Sequence, residues 1–327
     1  MILAADVGGT KTLLALCEAG ERSRIVVRFE RRYENDAHGG FTPLLEQFLA
    51  ESARALGGAP AIAAAGFAVA GPVAGGRARL TNREWEIDGA RLAARLGVPR
   101  AVVVNDFAAT ALGIEALAAE EFVTLQAGEP VARAPRVVVG AGTGFGVAHL
   151  FWDGTRYREV PGEGGHAGFA PADREQAALW DSIFAEKGRV EVEDVVSGPG
   201  LERIRAFVAE GGPPAGHLLR APEVAAGALA GTDYASVRAL DLFIAAYGAV
   251  AGDLALGVLA RGGVFVAGGI AARILPRLRA PGFLEAFNAK GRFAPVARRM
   301  PVHVVASERV ALFGAAIAAH RHPSSGE

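Results

Sequence analysis

The segment Asp6-Val7-Gly8-Gly9-Thr10 decides how the first part of the chain folds. An apolar run at residues 1–7 leads into its glycines, and a second apolar run at 12–17 follows them. A third apolar run at 25–29 extends the pattern to an antiparallel meander of three strands. Walker-type and dinucleotide-binding loops lead into a helix, so this order of strand, glycine turn and strand disfavours both.

The same segment has the chemistry of a phosphate-binding turn. Two glycines let backbone N–H groups come close to a phosphate, and Thr10 adds a hydroxyl donor. Asp6, at the end of the strand, can hold a magnesium ion directly or through water. A plain tight hairpin also favours Gly-Gly, so the segment alone leaves both interpretations open.

Two further glycine-rich segments follow apolar strands. Residues 140–146, Gly-Ala-Gly-Thr-Gly-Phe-Gly, contain more glycine than a hairpin requires, which suggests a backbone kept free of side chains where a ligand lies. Gly268-Gly269 follows the strand at 264–267 and opens a helix, where an anion or the edge of a nucleotide is readily bound. The repeated order of strand, glycine turn and strand indicates an internally duplicated fold.

Two other places carry polar groups suited to a sugar. Asn105-Asp106 ends the buried strand at 101–104, where a carboxylate can act as general base toward an alcohol and the amide can orient hydroxyls. An Asx turn that caps the next helix is the alternative. Glu163 and His166 lie three apart in a glycine-rich loop and can contact vicinal hydroxyls. A metal site there is disfavoured because only two ligands are present, and a flexible loop with incidental charges remains open.

Glu193 precedes the segment Ser-Gly-Pro-Gly at 197–200 and can add a further carboxylate, or can be a solvated acid at the start of a helix.

Apolar periodicity and capping residues predict helices from residue 42, at 88–96, 175–186, 199–210 and 233–260, from 270 and at 309–319. Residues 77–80 are expected to return beside the strand at 62–70. Residues 213–214 and 323–327 are the most loop-like places.

The composition describes a two-domain globular enzyme. The 327 residues are 51% hydrophobic and 21% charged, and 34 basic against 35 acidic side chains give a net charge of -1. This balance indicates no nucleic-acid partner and no anionic membrane. The single Cys17 permits neither an internal disulfide nor a zinc cluster rich in cysteine. The apolar stretches are interrupted by Gly71-Pro72 and Asp253, and residues 1–5 lack a basic flank, so we expect a cytoplasmic location without a membrane span.

Together these segments resemble the bacterial glucokinase family of the sugar kinase/Hsp70/actin superfamily. The resemblance covers nearly the whole chain and rests on motifs in the family order: DVGGT (6–10), TN-x-x-W (81–85), VNDF (104–107), GAGTGFGVAHL (140–150), PGEGGHAGFAP (161–171), SGPGL (197–201), GVFVAGGI (263–270) and KGRF (290–293). The related repressor/ORF/kinase (ROK) group carries a cysteine-rich zinc motif. This chain cannot supply one and falls outside that group.

The resemblance implies an α/β protein with a two-domain actin-like ATPase (ribonuclease H-like) fold and a ligand cleft between the domains. We expect a small domain at 1–112 plus 306–327 and a large domain at 113–305. The implied activity is ATP-dependent phosphorylation of D-glucose at its 6-hydroxyl, assisted by Mg²⁺ and feeding glycolysis. A kinase for mannose, fructose or N-acetylglucosamine, or a non-sugar actin-like ATPase, are the alternatives. A homodimer is common among such enzymes.

The resemblance also assigns roles to residues, with Asp106 as the base that deprotonates the 6-hydroxyl. Asp6 stays the candidate magnesium ligand, directly or through water, from its place in the first glycine segment. The residues that it implies for glucose are Asn105, Asp106, Glu163, His166 and Glu193. Those that it implies for ATP are Gly8, Gly9, Thr10, Gly142 and Thr143 at the phosphates, with Gly268 and Gly269 near the base. Lys11 and Gly168 depart from the family pattern, in which Asn and Asp are frequent.

Overall fold

The computed structural model describes residues 1–20, 24–80, 83–210 and 219–321. Residues 81–82 of the TN-x-x-W motif, and the loop-like residues 213–214 and 323–327, lie outside this part of the chain. The chain divides into two compact units. Unit 1 comprises residues 1–119 with 307–327, and unit 2 comprises residues 120–306.

The described residues form two large sheets and one small sheet. The strands are β1 (Ile2–Val7), β2 (Lys11–Ala19), β3 (Ile25–Glu34), β4 (Ala64–Val69), β5 (Val73–Ala74), β6 (Arg77–Arg79), β7 (Glu86–Asp88), β8 (Ala101–Asn105), β9 (Phe122–Gln126), β10 (Arg136–Ala141), β11 (Phe145–Trp152), β12 (Tyr157–Gly162), β13 (Gly263–Ala267) and β14 (Val302–Val305). Those up to β8 belong to unit 1 and the others to unit 2.

Helices follow the strands in both units. They are α1 (Phe41–Leu56), α2 (Gly89–Leu96), α3 (Asp106–Gly113), α4 (Arg174–Lys187), α5 (Val192–Val195), α6 (Gly198–Glu210), α7 (Ala221–Ala230), α8 (Tyr234–Val258), α9 (Gly269–Arg273), α10 (Leu275–Leu278), α11 (Pro281–Asn288), α12 (Ala294–Ala297) and α13 (Val310–Arg321). The helices predicted from residue 42, at 88–96, 175–186, 199–210 and 233–260, from 270 and at 309–319 all begin within one residue of the expected position. Asp88 accepts a hydrogen bond from the Arg91 N–H at the start of α2.

The large sheet of unit 1 has the order β3-β2-β1-β4-β8. β1 pairs antiparallel with β2 and parallel with β4, so the predicted meander is confirmed and is followed by parallel strands that helices connect. The expectation for residues 77–80 was wrong. β6 pairs with β5 and β7 in a separate sheet, because the positive φ of Gly75 and Gly76 forms a tight turn that folds β6 back onto β5.

The sheet of unit 2 has the order β12-β11-β10-β13-β14-β9. Its first five strands repeat the order and directions of the unit 1 sheet, which confirms the internal duplication. The core packs this sheet against α8, where Phe243 and Tyr247 are fully buried. Among the described residues α8 alone is long and apolar enough to cross a membrane, but 72% of its apolar window is buried inside the protein. It is the central helix of the core of unit 2.

In unit 1, α3 and α13 pack backbone to backbone. A Cβ at Gly113 would overlap the carbonyl oxygen of Val310, and one at Gly314 would overlap that of Ala109. Each helix therefore places a glycine where the other approaches most closely. This contact fixes α3, and α3 begins with Asp106.

Candidate active site

The first glycine turn, residues 8–10, joins β1 to β2 in unit 1. The Gly8 carbonyl accepts a hydrogen bond from Asn35 Nδ2 at 2.8 Å, and the Gly9 carbonyl accepts from Arg83 Nε at 2.5 Å and from Asn35 Nδ2 at 3.3 Å. The Thr10 carbonyl accepts from the backbone N–H of Asn35. Within the described part of the chain, the N–H groups of Gly9 and Thr10 have no acceptor. The turn thus offers two donors, as phosphate binding requires.

Two carboxylates lie near this turn, Asp6 at the end of β1 and Asp106 at the start of α3. The pKa of Asp6 is raised to about 7, mainly through loss of hydration on burial and further through the charge of Asp106, while the charge of Arg32 opposes the shift. Burial also raises the pKa of Asp106, against hydrogen bonds from backbone N–H groups and from Asn105. A carboxylate with a raised pKa takes up a proton more readily and suits a general base.

Asn105 is the N-cap of α3. Its Oδ1 accepts hydrogen bonds from the N–H groups of Phe107 and Ala108 at 2.9 and 3.2 Å, and its Nδ2 donates to the Gly71 carbonyl at 3.1 Å. The Asx-turn alternative for this position is therefore confirmed. The predicted contact of its amide with sugar stays a prediction, since a cap does not exclude it.

The second glycine turn, residues 140–146, joins β10 to β11 in unit 2. The phenol oxygen of buried Tyr247 accepts from the Ala141 N–H at 3.2 Å, and Glu193 Oε2 accepts from the Phe145 N–H at 2.7 Å. A Cβ at Gly142 would meet nothing within 4 Å, so space for a ligand is left above it, next to Thr143. Both ends of the turn are fixed by side chains from other elements.

Gly268 and Gly269 come directly after β13, beside this turn. Gly268 has φ +90°, and a Cβ there would lie 2.7 Å from the Ala141 carbonyl oxygen, so only glycine permits this close approach. Gly269 begins α9, and a Cβ on it would meet nothing within 4 Å. The structure therefore brings the second and third glycine segments together at one end of the sheet of unit 2.

Glu163 precedes a 3₁₀ turn at Gly164–His166, just after β12, and His166 is the last residue of that turn. Their side chains are 91% and 54% exposed, and His166 Nε2 lies 4.0 Å from Glu163 Oε2. His166 Nδ1 lies 2.8 Å from Oε2 of Glu191, which itself accepts from Arg189. The hydrogen bond to Glu191 is the largest cause of the raised pKa of His166, and the charges of Glu193, Glu191 and Glu163 add to it.

The predicted site residues thus form one group in each unit. Asp6, Asn105 and Asp106 gather with the first glycine turn in unit 1, and Glu163, His166 and Glu193 gather with the second in unit 2. Sequence reasoning missed Asn35, Arg83 and Glu191. Glu191 carried a signal, because it lies two residues before Glu193 in the same acidic segment, and Arg83 lies inside the TN-x-x-W motif at 81–85. Asn35 carried none.

The two departures from the family pattern lie at the edges of these groups. The Nζ of Lys11 is 3.2 Å from Glu34 Oε1 across the β2–β3 pair, and both side chains are exposed. Lys11 therefore pairs with Glu34 next to the first glycine turn. Gly168 forms an isolated antiparallel bridge with Glu191, and a Cβ on it would meet nothing within 4 Å.

The described residues include no cluster of three or more His, Cys, Asp or Glu that could hold a metal ion. Mg²⁺ usually binds through one or two carboxylates together with substrate phosphates and water, so such a cluster is not needed. Asp6 fits that pattern, because the charge of Asp106 makes its ionisation more costly and a bound cation would offset that cost.

Comparison with known proteins identifies the family. Residues 3–322 match the family model Glucokinase. A glucokinase from a Nostoc species is 39% identical, covering 98% of this chain and 99% of that protein, and one from Salmonella arizonae is 35% identical, covering 95% and 94%. The crystal structure of a glucokinase from an Antarctic psychrotroph superposes with a TM-score of 0.87 at 31% identity, covering 98% of this chain and 99% of that one. The chain belongs to the glucokinase family.

Proposed function

We propose that the protein transfers the γ-phosphoryl group of ATP to the 6-hydroxyl of D-glucose and so forms glucose 6-phosphate. The observation that carries this proposal is Asp106, a carboxylate with raised pKa at the start of α3, in a chain of the glucokinase family. Phosphoryl transfer to an alcohol needs a positioned base but little other covalent chemistry from the protein. Asp106 would accept the hydroxyl proton as the phosphoryl group transfers in line.

Glucose would be held by the polar side chains that the family resemblance implies. In this proposal Glu163, His166 and Glu193 accept or donate hydrogen bonds to ring hydroxyls, and Asn105 orients the hydroxyl that reacts. His166 is suited to this role because Glu191 occupies its Nδ1 and leaves Nε2 for a ligand. Because the exposed Glu163 lies close to Nε2, a vicinal pair of hydroxyls can bridge the two side chains.

ATP would place its phosphates against Gly8, Gly9, Thr10, Gly142 and Thr143, with its base near Gly268 and Gly269. The N–H groups of Gly9 and Thr10, which have no acceptor among the residues that the structure describes, and the open space above Gly142 and Gly269 support this assignment. When bound, Mg²⁺ would neutralise the negative charge that develops on the phosphates. Asp6 would hold the ion directly or through water, since its carboxylate is the one that ends β1 beside the turn.

Further expectations remain part of the proposal. We place the functional domain boundary at 1–112 plus 306–327 against 113–305, and we expect a cytoplasmic enzyme of glycolysis. We also expect no nucleic-acid or membrane partner and a homodimer. The near-neutral charge balance supports the absence of polyanionic partners.

Release of ADP in a coupled assay tests the proposal. D-glucose, mannose, fructose and N-acetylglucosamine are compared as acceptors, with ATP, ADP and polyphosphate as donors. We expect kcat/KM for glucose with ATP to exceed that of every other pair by at least about tenfold. A higher kcat/KM for another hexose would mean that this hexose, and not glucose, is the substrate. ATP hydrolysis at the same rate without any sugar would favour an actin-like ATPase.

A further inference from the structure

Asn35 and Arg83 both hold carbonyl groups of the first glycine turn, although neither belongs to the predicted site. Asn35 is fully buried, and its Oδ1 accepts a hydrogen bond from the Thr12 hydroxyl at 2.8 Å. This bond fixes the amide, so that Nδ2 faces the carbonyls of Gly8 and Gly9. A fully satisfied buried polar group of this kind allows little freedom of orientation.

Arg83 approaches the same turn from a loop between β6 and β7. Its Nε donates to the Gly9 carbonyl, and its Nη2 pairs with Asp36, the residue next to Asn35. The guanidinium also lies over the ring of Trp85, with Cζ 5.6 Å from the ring centroid, and the side chain is only 20% exposed. The guanidinium is therefore held on three sides while it contacts the turn.

Peptide geometry converts these carbonyl contacts into an orientation of the donors. In a trans peptide the C=O and the N–H point in opposite directions, and the described residues contain no cis peptide bond. The Gly8 carbonyl shares its peptide with the Gly9 N–H, and the Gly9 carbonyl shares its peptide with the Thr10 N–H. Holding both oxygens on one side points both N–H groups to the other. These are the two N–H groups of the turn that lack an acceptor among the residues described.

We infer that Asn35 and Arg83 are positioning residues for phosphate binding, because they hold the first glycine turn with the N–H groups of Gly9 and Thr10 directed at an ATP phosphate. The positive charge of the Arg83 guanidinium also lies next to the Gly9 carbonyl oxygen. This charge polarises the peptide and makes the Thr10 N–H a stronger donor. Neither side chain needs to touch the nucleotide. The inference rests on the proposed function, because it takes ATP as the ligand of the turn.

The test measures nucleotide affinity apart from turnover. Calorimetry without sugar gives the Kd for ATP, ADP and adenosine, and a separate titration gives the Kd for glucose. For Arg83→Ala we expect the Kd for ATP to rise about tenfold, as loss of one charge-assisted hydrogen bond predicts, with adenosine and glucose affinities unchanged. Asp36→Ala should give a smaller rise, because Arg83 remains but is less firmly held. Arg83→Lys, which keeps the charge, should restore part of the affinity.

Arg79→Ala is the matched control, because Arg79 is an exposed arginine on β6 of the same unit and contacts no part of the turn. It removes the same charge and should leave every Kd unchanged. Asn35→Asp keeps the shape of the side chain but replaces the donor with an acceptor, and it should weaken ATP binding at least as much as Arg83→Ala. Because Asn35 is buried, its variant is compared only if its thermal unfolding matches the wild type, and the Arg83 series carries the test otherwise.

Two outcomes would overturn the inference. In one, Arg83→Ala leaves the Kd for ATP unchanged while the wild type phosphorylates glucose, so that the proposed function stands and the positioning role fails. In the other, the adenosine and ATP affinities fall by the same factor, which would mean a general loss of structure. A third result separates the two proposals. If the wild type binds ATP and the Arg83 variants weaken ATP binding as expected, but the wild type phosphorylates no hexose, the positioning role stands and the proposed function fails.

Discussion

Oε2 of Glu193 accepts a hydrogen bond from the backbone N–H of Phe145, with the two atoms 2.7 Å apart. Phe145 lies in the second glycine turn, which we assign to ATP, and Glu193 is assigned to glucose. A side chain proposed for glucose is therefore hydrogen-bonded to the backbone of the turn proposed for ATP. Gly144 lies directly beneath it, and a Cβ there would overlap the carboxylate.

Gly144→Ala should displace the Glu193 carboxylate without removing it. We expect KM for glucose to rise by about tenfold or more, and KM for ATP to rise as well, because the Phe145 N–H loses its acceptor. Steady-state kinetics with each substrate varied in turn measures both changes. Gly168→Ala is the control, since a Cβ at Gly168 has free space and should leave both constants within twofold. An unchanged KM for glucose in the Gly144 variant would remove Glu193 from the sugar site.

Glu191→Gln should lower the pKa of His166. The carboxylate of Glu191 is the largest cause that raises this pKa, and the amide of Gln stabilises the imidazolium less. The charges that also face His166, those of Glu193 and Glu163, remain. A histidine whose pKa is raised on folding stabilises the folded state below its ordinary pKa and loses that contribution as the pH rises through the folded pKa.

The direct measurement is an NMR titration of the His166 ring in both proteins. The same substitution should move the His166-dependent limb of kcat/KM for glucose to lower pH. Glu159→Gln, on the neighbouring strand β12, changes the charge equally without touching His166 and should move neither curve. A pKa of His166 that is the same in wild type and Glu191→Gln would show that the pair does not control the histidine.

Asp106→Asn should greatly lower kcat while glucose still binds. The amide cannot accept the hydroxyl proton, and loss of a general base costs about 10²–10⁴-fold in rate. We expect kcat to fall by roughly 10³-fold, with the Kd for glucose changed by only a few-fold. Turnover within tenfold of the wild type would exclude Asp106 as the base. The circular dichroism spectrum and the melting temperature check that the fold is retained.

Asp6→Asn should stabilise the protein at alkaline pH and impair catalysis. The folded-state pKa of Asp6 is raised to about 7, so ionising this group costs stability as the pH rises from its ordinary pKa near 4 through about 7. Replacing it should increase the free energy of unfolding above pH 7 by up to about 4 kcal/mol, from three units at about 1.4 kcal/mol each. The gain should vanish toward pH 4.

Urea unfolding at pH 4.5 and pH 8 separates these cases. An equal gain at both values would mean that packing, not charge, is responsible. If Asp6 holds Mg²⁺ as proposed, added Mg²⁺ with a nonhydrolysable ATP analogue should stabilise the wild type more than Asp6→Asn. Equal stabilisation would assign the ion to other groups.

Gly314→Ala should destabilise unit 1 and lower activity through α3. The added methyl would overlap the Ala109 carbonyl, so α13 and α3 must separate, and strained packing of this kind costs about 1–3 kcal/mol. Since α3 begins with Asp106, kcat should fall with little change in KM for ATP. Gly257→Ala is the control, because it lies on the exposed side of α8 with no atom within 4 Å, and it should be neutral or slightly stabilising. A stable, fully active Gly314 variant would refute the close packing of the two helices.

Much of the fold was predictable because it is encoded locally. Apolar runs separated by glycine turns gave the meander, and a cap such as Asp88 gave the start of α2. The repetition of the strand–turn–strand pattern indicated the duplicated sheet, whereas the order of the strands beyond the meander came from the structure. The small sheet was missed because β5, β6 and β7 are only two or three residues long, too short for alternation to indicate their partners.

The sequence by itself determined the glycine turns, the residues at the ends of β1 and β8, and the loop with Glu163 and His166, since each is a contiguous motif. Only the tertiary structure decided which distant side chains form hydrogen bonds to these motifs. Asn35 reaches the Gly8 carbonyl across 27 positions, Arg83 reaches Gly9 across 74, and Glu191 reaches His166 across 25. Such partners depend on strand register and on where a loop returns to the sheet, and no local pattern specifies either. Motifs can therefore name the groups proposed to bind the substrates, while long-range packing sets the orientation of those groups and shifts the pKa of His166.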